Sequence, residues 1–322
     1  MPLSKQNIKT GQDMTPPDFV VRNGTKMTAA YAEFFSLNIN QHTNHAYANG
    51  LRLFFEHCES LGITDVLDIE PVHVQQFNIA QIEKGYEKSS LRQYLSAVRM
   101  FLDSCVVRGV LSVNPAKAVK LPRTTSGTGK TPVIVSTQVR QILDSIPRRS
   151  QKDLRDRALI GLMVYSFFRI SAALALKVRD YELRGNQRWL VGEEKGSKRH
   201  EMPVHPDLEE MMDEYLQTTG LMNQPNELIF QSSTARGGYL TGKPFDRNSS
   251  WRMVRKRALA AGIHRDIGNH SFRATGITTY LNNGGSLEDA RIMANHSNST
   301  TTKLYDRTKD VAKVTEIQRL KF

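Results

Sequence analysis

His270-Ser271-Phe272-Arg273, then Asn295-His296, then Tyr305 nine positions beyond His296, is the stretch around which the rest of the chain is organised. Two histidines, an arginine and a tyrosine fall here on short segments of helical pattern. Far upstream, Arg169 follows an apolar run, and Lys195 lies in a glycine-bearing turn, Lys195-Gly196-Ser197-Lys198. Taken together, these six residues suit one kind of chemistry, in which a phosphodiester is held and attacked by a tyrosine hydroxyl. The negative charge of a phosphodiester repels nucleophiles, and its alkoxide is a poor leaving group. A catalyst without a metal therefore needs cations on the non-bridging oxygens, a positioned nucleophile and an acid for the departing oxygen. Arginine meets the first need because its planar fork makes paired, charge-assisted bonds and stays charged. Tyrosine meets the second because it can form a covalent phosphoryl-enzyme bond. Such a bond conserves the energy of the broken linkage, so a second DNA end can be joined without ATP. Singly, each residue also has an ordinary reading: a helical hydrogen-bonder, a helix-end cation, a solvated lysine, a packing aromatic.

Around this stretch, bulk properties narrow the field. The chain has 322 residues, which points to two domains. A net charge of +12 and a pI near 9.7 point to a polyanionic partner, nucleic acid first. Two cysteines, Cys58 and Cys105, form neither a disulfide framework nor a metal site, and fit a reducing cytoplasm. No apolar run reaches membrane-spanning length, and Met1 to Lys26 lacks the apolar core of a signal peptide.

Residues 1–27 read as a polar, flexible tail. From Thr28 the pattern is helical. Tyr47, Leu51, Phe54, Phe55 and Cys58 recur on one face, and Pro71 suits the first position of a helix that runs inward through Val74, Phe77 and Ile82. Leu91, Tyr94, Leu95, Val98, Phe101, Leu102 and Cys105 line another. A helical domain is expected over 28–120, with Lys88, Arg92 and Arg99 as candidate phosphate contacts. Residues 121–131 read as a linker. Its Gly127-Thr128-Gly129-Lys130-Thr131 imitates a nucleotide-binding loop, but Thr124 stands where the first glycine of that loop belongs. A second domain is expected over 132–322. It has a buried helix from Asp153 to Phe168, strands at 177–183 and 189–192 with a hairpin partner at 201–204, and a helix from 245 to 261. That last helix carries Arg252, Arg255, Lys256 and Arg257, a basic face suited to DNA.

The combination resembles the tyrosine recombinase, or phage integrase, family. Arg155-Asp-Arg-Ala-Leu-Ile160 leading to Arg169-Ile-Ser171 looks like its first signature box. Lys195 through Val204 is similar to its strand-turn-strand with a catalytic lysine, and His270 to Tyr305 looks like its second box. The resemblance implies a mainly α fold with a small antiparallel β-sheet: an N-terminal helical, SAM-like core-DNA-binding domain, then an α+β catalytic domain. It implies that Arg169 and Arg273 clamp the scissile phosphate and Tyr305 attacks it. Lys195 donates a proton to the 5′ oxygen, His270 takes or orients the tyrosine proton, and His296 bonds a phosphate oxygen. No metal or cofactor is implied. The partners implied are double-stranded DNA with specific core sites and a homo-tetramer on DNA, monomeric in solution, in the cytoplasm and at the nucleoid. Val311, Val314, Ile317 and Leu320 have the spacing of a helix that docks on its own or a neighbouring subunit. Two positions depart from the family pattern: Ala172 where an acidic residue is usual, and Asn295 where glycine is usual. Two rivals stand beside this reading: a type IB topoisomerase-like relaxase, and a non-catalytic DNA-binding protein of the same fold.

Overall fold

The computed structural model describes residues 14–37, 41–122, 131–194, 196 and 198–306. The chain divides into two compact units, Met1–Thr125 and Ser126–Phe322. Its fold is mainly helical with small antiparallel sheets, as the sequence led one to expect.

The first unit contains α1 (Asp18–Arg22), α2 (Gly24–Ser36), α3 (Gln41–Ser60), α4 (Pro71–Glu83) and α5 (Lys88–Val107). Three- and four-residue spacing puts Leu51, Phe54, Phe55 and Cys58 of α3 on one stripe, which meets Leu95, Val98, Phe101, Leu102 and Cys105 of α5. Phe101 sits edge-on to Tyr31, Phe34 and Phe55, the favoured geometry for aromatic quadrupoles. The expected tail through residue 27 is shorter than the sequence indicated. A helix begins at Asp18, and Phe19 and Val20 are buried in this core, with Phe19 stacked on Phe55 at 4.7 Å. Five residues are too few for a periodic signal, so tertiary burial rather than pattern defines this helix. Ile82, expected inside, is exposed on α4.

The second unit runs α6 (Ser136–Ser145), α7 (Gln151–Tyr165), α8 (Ile170–Ala175), β1 (Tyr181–Arg184), β2 (Gln187–Glu194), β3 (Lys198–Pro203) and α9 (Pro206–Thr218). It continues with β4 (Gln231–Ser233), β5 (Leu240–Pro244), α10 (Arg247–Ala260), α11 (Asn269–Asn282), α12 (Leu287–Met293) and α13 (Ser299–Lys303). Helix α7 is buried continuously from Leu154 to Met163 and packs against α9 and α11. A Cβ on Gly276 of α11 would lie 2.1 Å from the carbonyl oxygen of Val164, so only glycine lets these two helices approach so closely. The three-stranded sheet has the order β1-β2-β3, antiparallel throughout. Its first strand starts later than expected: residues 178–180 form a 3-10 turn, because the Asp180 carboxylate accepts the Lys177 N–H at 2.8 Å. The middle strand runs two residues further than expected, to Glu194, in register with Lys198. That extension has consequences for the site. Within the described residues, no helix is long and apolar enough to cross a membrane.

Candidate active site

Five of the six residues singled out in the sequence lie among the described residues, and they converge in the second unit; Lys195 lies outside them. Helix α7 ends at Tyr165, and the backbone then turns sharply. Phe167 adopts φ +57°, a left-handed conformation that costs a non-glycine residue about 1–3 kcal/mol. The turn aims the Phe167 carbonyl at Arg273, which donates to it through a terminal nitrogen. Two residues later Arg169 precedes α8.

Arg273 lies on α11 and is 1% exposed. Besides Phe167 it donates to the Ala294 carbonyl at 2.5 Å and to His296 Nε2 at 3.0 Å. Its Nε has no hydrogen-bond partner among the described residues. Burial, and then the neighbouring Arg169 charge, lower its pKa to about 9, so it remains a cation at neutral pH.

His296 accepts from Arg273 on Nε2, so its proton sits on Nδ1 and is donated to Thr302 Oγ at 2.9 Å. Burial, then the charges of Arg273 and Arg169, lower its pKa to about 3, and it is neutral at physiological pH. Asn295, before it, has φ +47°. Asparagine is among the few side chains that tolerate this region, which explains how it stands in for the usual glycine. The His296 ring stacks on Tyr305, centroids 5.9 Å apart and planes 10° apart.

Tyr305 follows α13. Its backbone is tied by its N–H to Thr302 and by its carbonyl to the Thr278 hydroxyl. The residue is 8% exposed, and its hydroxyl lies 3.1 Å from His270 Nε2. Burial raises the phenol pKa, while Arg273 and Arg169 draw it back down, so the resting phenol carries its proton. His270 is pushed down to about 4 by burial and then by Arg273, Arg169 and Arg247, and it is a neutral imidazole beside that phenol. A neutral acceptor, a protonated nucleophile and two guanidinium groups thus share one pocket, the arrangement that attack on an anionic ester requires.

Sequence reasoning missed one member. The Glu194 side chain is 1% exposed and lies between the two arginines. Its Oε1 accepts the Arg169 backbone N–H at 3.1 Å and lies 3.3 Å from an Arg273 terminal nitrogen, and its Oε2 is ion-paired with the Arg169 guanidinium. The signal was strand parity. Leu190, Gly192 and Glu194 alternate toward one face of β2, and Gly192 lets the Phe168 ring cross the strand where a Cβ would sit 2.7 Å away. Ending the strand at Gly192 hid the last inward position. His200 of β3 stacks on Phe168 at 4.3 Å, and its Nδ1 is 3.5 Å from Glu194. Its pKa, lowered to about 4 by burial, makes this a contact with a neutral ring. Lys198, the second lysine of that turn and a rival to Lys195 as proton donor, opens β3 opposite Glu194, and its charge contributes to lowering His200 and His296.

The candidate DNA contacts divide into two groups. Arg99 donates to the carbonyls of Ala116, Lys117 and Val119, and so it closes the end of the first unit. Arg257 is ion-paired with Asp153 at 2.6 Å and Asp156 at 2.7 Å, fastening α10 to α7. Both are structural, because their guanidinium groups face inward. Arg255 stacks over Trp251 at 4.8 Å and pairs with Asp266; Arg252 donates to Ser249 Oγ at 3.0 Å; Arg92 reaches the Pro122 carbonyl at 3.4 Å. Lys88 and Lys256 are exposed. Val311, Val314, Ile317 and Leu320 lie outside the described residues, as does most of the linker.

Both the sequence and the fold have counterparts among known proteins. The sequence profile of the phage integrase family matches residues 132–311, and that of the phage integrase N-terminal SAM-like domain matches residues 29–109. The tyrosine recombinase XerC of Serratia marcescens is 27% identical over 267 residues, covering 82% of this chain and 83% of that protein. Among solved structures, the XerH site-specific recombinase bound to a palindromic difH substrate, in a post-cleavage complex, superposes with a TM-score of 0.69. It is 19% identical, with 83% of this chain and 76% of that chain covered. A lambda integrase tetramer bound to a Holliday junction gives a TM-score of 0.68 at 15% identity, covering 89% and 79% of the respective chains.

Proposed function

From the premise that this chain belongs to the phage integrase family, we propose that it is a tyrosine-type site-specific DNA recombinase. It cleaves and rejoins duplex DNA through a 3′-phosphotyrosyl link and a Holliday junction, acting as a tetramer with two copies at each crossover site. The observation that carries this reading is the convergence of Arg169, Arg273, His270, His296 and Tyr305 on one site, which runs from buried Arg273 and His296 out to exposed His270.

Each step follows from a named atom. The scissile phosphodiester docks against the guanidinium groups of Arg169 and Arg273, which stabilise the charge that builds on its non-bridging oxygens. The phosphate charge offsets those two cations, which relieves part of the pressure holding the His270 pKa low. The phenol of Tyr305 then passes its proton to His270 Nε2 as its oxygen bonds to phosphorus. The bond from phosphorus to the 5′ oxygen breaks, and Lys195 supplies the proton that the 5′ oxygen needs. A free 5′-hydroxyl and a tyrosyl phosphodiester result, and attack by a 5′-hydroxyl of the partner duplex reverses the chemistry. In the resting arrangement His296 acts on Arg273. Donation from its Nε2 to a phosphate oxygen requires the other tautomer, with the Thr302 hydroxyl donating to Nδ1. Lys88, Arg92, Arg252, Arg255 and Lys256 are proposed to meet DNA phosphates.

The test is to select bound DNA from a random pool and place two copies of the selected site in one supercoiled plasmid. Deletion or inversion between the sites is expected. Relaxation of a plasmid without sites, with no recombinant product, would point instead to a monomeric relaxase.

A further inference from the structure

We infer that Glu194 is a positioning residue for strand cleavage: its buried carboxylate holds the guanidinium of Arg169, and the flank of Arg273, in the places where the phosphate must meet them. The inference rests on the proposed recombinase reading and deepens it.

The two arginines are anchored very differently. Arg273 has two backbone carbonyls and His296 besides Glu194, so its position is fixed several times over. Arg169 has a side chain one-third exposed, and the hydrogen bonds it donates among the described residues, from both backbone and side chain, go to Glu194. Removing the carboxylate frees Arg169 while leaving Arg273 largely in place. The helix that Arg169 leads into offers no substitute, since its first turn presents Ala172, a buried methyl group packed in the main core. The acid must come from elsewhere, and it comes from the last residue of β2, adjacent in sequence to Lys195. One carboxylate therefore couples the strand that leads to the proposed proton donor to both phosphate-binding cations.

Charge supports the same assignment. His200, His270 and His296 are neutral at physiological pH. Glu194 offsets one of the two guanidinium charges, and the positive charge that remains, joined by Lys198 and Arg247 nearby, suits a phosphodiester monoanion. Without the carboxylate, the two neighbouring cations repel each other, and the more exposed one, Arg169, swings toward solvent. Packing alone does not account for a carboxylate here, since burying it is costly unless it is paired.

The experiment uses the full chain and a nicked duplex carrying a site selected from a random pool, in which cleavage releases a short fragment and traps the covalent adduct. Glu194→Gln keeps the shape and removes the charge. Its single-turnover cleavage at saturating protein is expected to fall by about 10- to 100-fold, the usual loss when a hydrogen-bond partner behind a reactive group is removed. Affinity for uncleaved DNA should stay near wild type, and cleavage is read at a temperature where the variant stays folded. Glu194→Asp, which keeps the charge on a shorter arm, should recover part of the rate. A second substrate carries a neutral methylphosphonate at the scissile position. With no phosphate charge for the guanidinium groups to meet, the gap between wild type and Glu194→Gln should narrow. Cleavage by Glu194→Gln at the wild-type rate, or an undiminished gap on the methylphosphonate, would overturn the inference. Failure of wild type itself to form any adduct would instead overturn the recombinase reading.

Discussion

Two clusters of arginine and carboxylate lie in the second unit, and they differ in how many carboxylates meet their two guanidinium groups. In the first, Arg155 and Arg257 meet Asp153 and Asp156, with Lys152 at the edge. Arg155 also donates to the Gln231 carbonyl at 2.8 Å and stacks on Phe245 at 3.8 Å. Each guanidinium there is ion-paired with at least one carboxylate, and Arg257 with two. In the second, Arg169 and Arg273 share the single carboxylate of Glu194, and Arg273 Nε has no partner among the described residues. The first cluster closes on itself and holds α7, α10 and the β4 strand together. The second leaves positive charge unspent beside a protonated phenol. Residue type does not distinguish the two; completeness of pairing does.

The sharpest way to break this contrast is to cross it. Arg273→Ala should lower single-turnover cleavage by at least about 10²- to 10³-fold, the usual loss for one charge-stabilising donor. Uncleaved DNA should still bind. Arg257→Ala should do the reverse: folding stability should drop by about 1–3 kcal/mol, because Asp153 loses its guanidinium partner and buried Asp156 keeps only Arg155 and Lys152. At a temperature where that variant stays folded, cleavage should persist. Equal losses of stability in the two variants, seen in denaturant melts, would erase the distinction.

A second test concerns the proton at the leaving group. Lys195→Met should cleave an ordinary phosphodiester poorly. A substrate with sulfur in place of the 5′ bridging oxygen, whose thiolate leaves without a proton, should restore its rate. If Lys198→Met rather than Lys195→Met shows this rescue, the acid is Lys198.

Smaller effects follow from three histidines at the site, of which His200 and His296 are buried and His270 is exposed. Their folded pKa values, about 4 for His200 and His270 and about 3 for His296, lie below the ordinary 6.5. As pH falls, the unfolded chain takes up protons first, so stability present above pH 6.5 is lost on the way to pH 4. The buried His200 and His296 each contribute a slope of about 1.4 kcal/mol per pH unit while only the unfolded form titrates, and the exposed His270 contributes less. Thermal midpoints measured between pH 7.5 and 5 should fall steadily, and a flat profile would contradict the neutral assignment. The smallest effect is expected at the surface. Lys256→Ala should weaken binding uniformly across DNA sequences and reduce the salt slope by about 1. An unchanged slope would remove α10 from the DNA surface.

These tests also mark where the sequence was informative. The long helices were legible because Leu51, Phe54, Phe55 and Cys58, or Leu95, Val98, Phe101 and Leu102, repeat with the helical period, and burial follows that repeat. The site residues were legible because few arrangements of Arg, His and Tyr serve another purpose together. Glu194 was hidden because two adjacent glutamates look like the wet end of a strand, and only the register with Lys198 shows that one of them points inward. The roles of Arg99 and Arg257 were hidden because a cation's partner can lie far away in sequence; Arg257 and Asp156 are separated by 101 positions. Phe167 was hidden because nothing in an aromatic side chain announces a left-handed backbone; the turn is imposed by α7 on one side and Arg273 on the other.

The most direct measurement is covalent capture on the nicked duplex by wild type and Tyr305→Phe, read after denaturation. Wild type should carry labelled DNA through a 3′ end, released by protease as a phosphotyrosyl peptide containing residue 305, and Tyr305→Phe should carry none while still binding the site. An adduct of wild-type yield on the phenylalanine variant, or one mapped to another residue, would contradict a pocket built to fire that phenol at a phosphate.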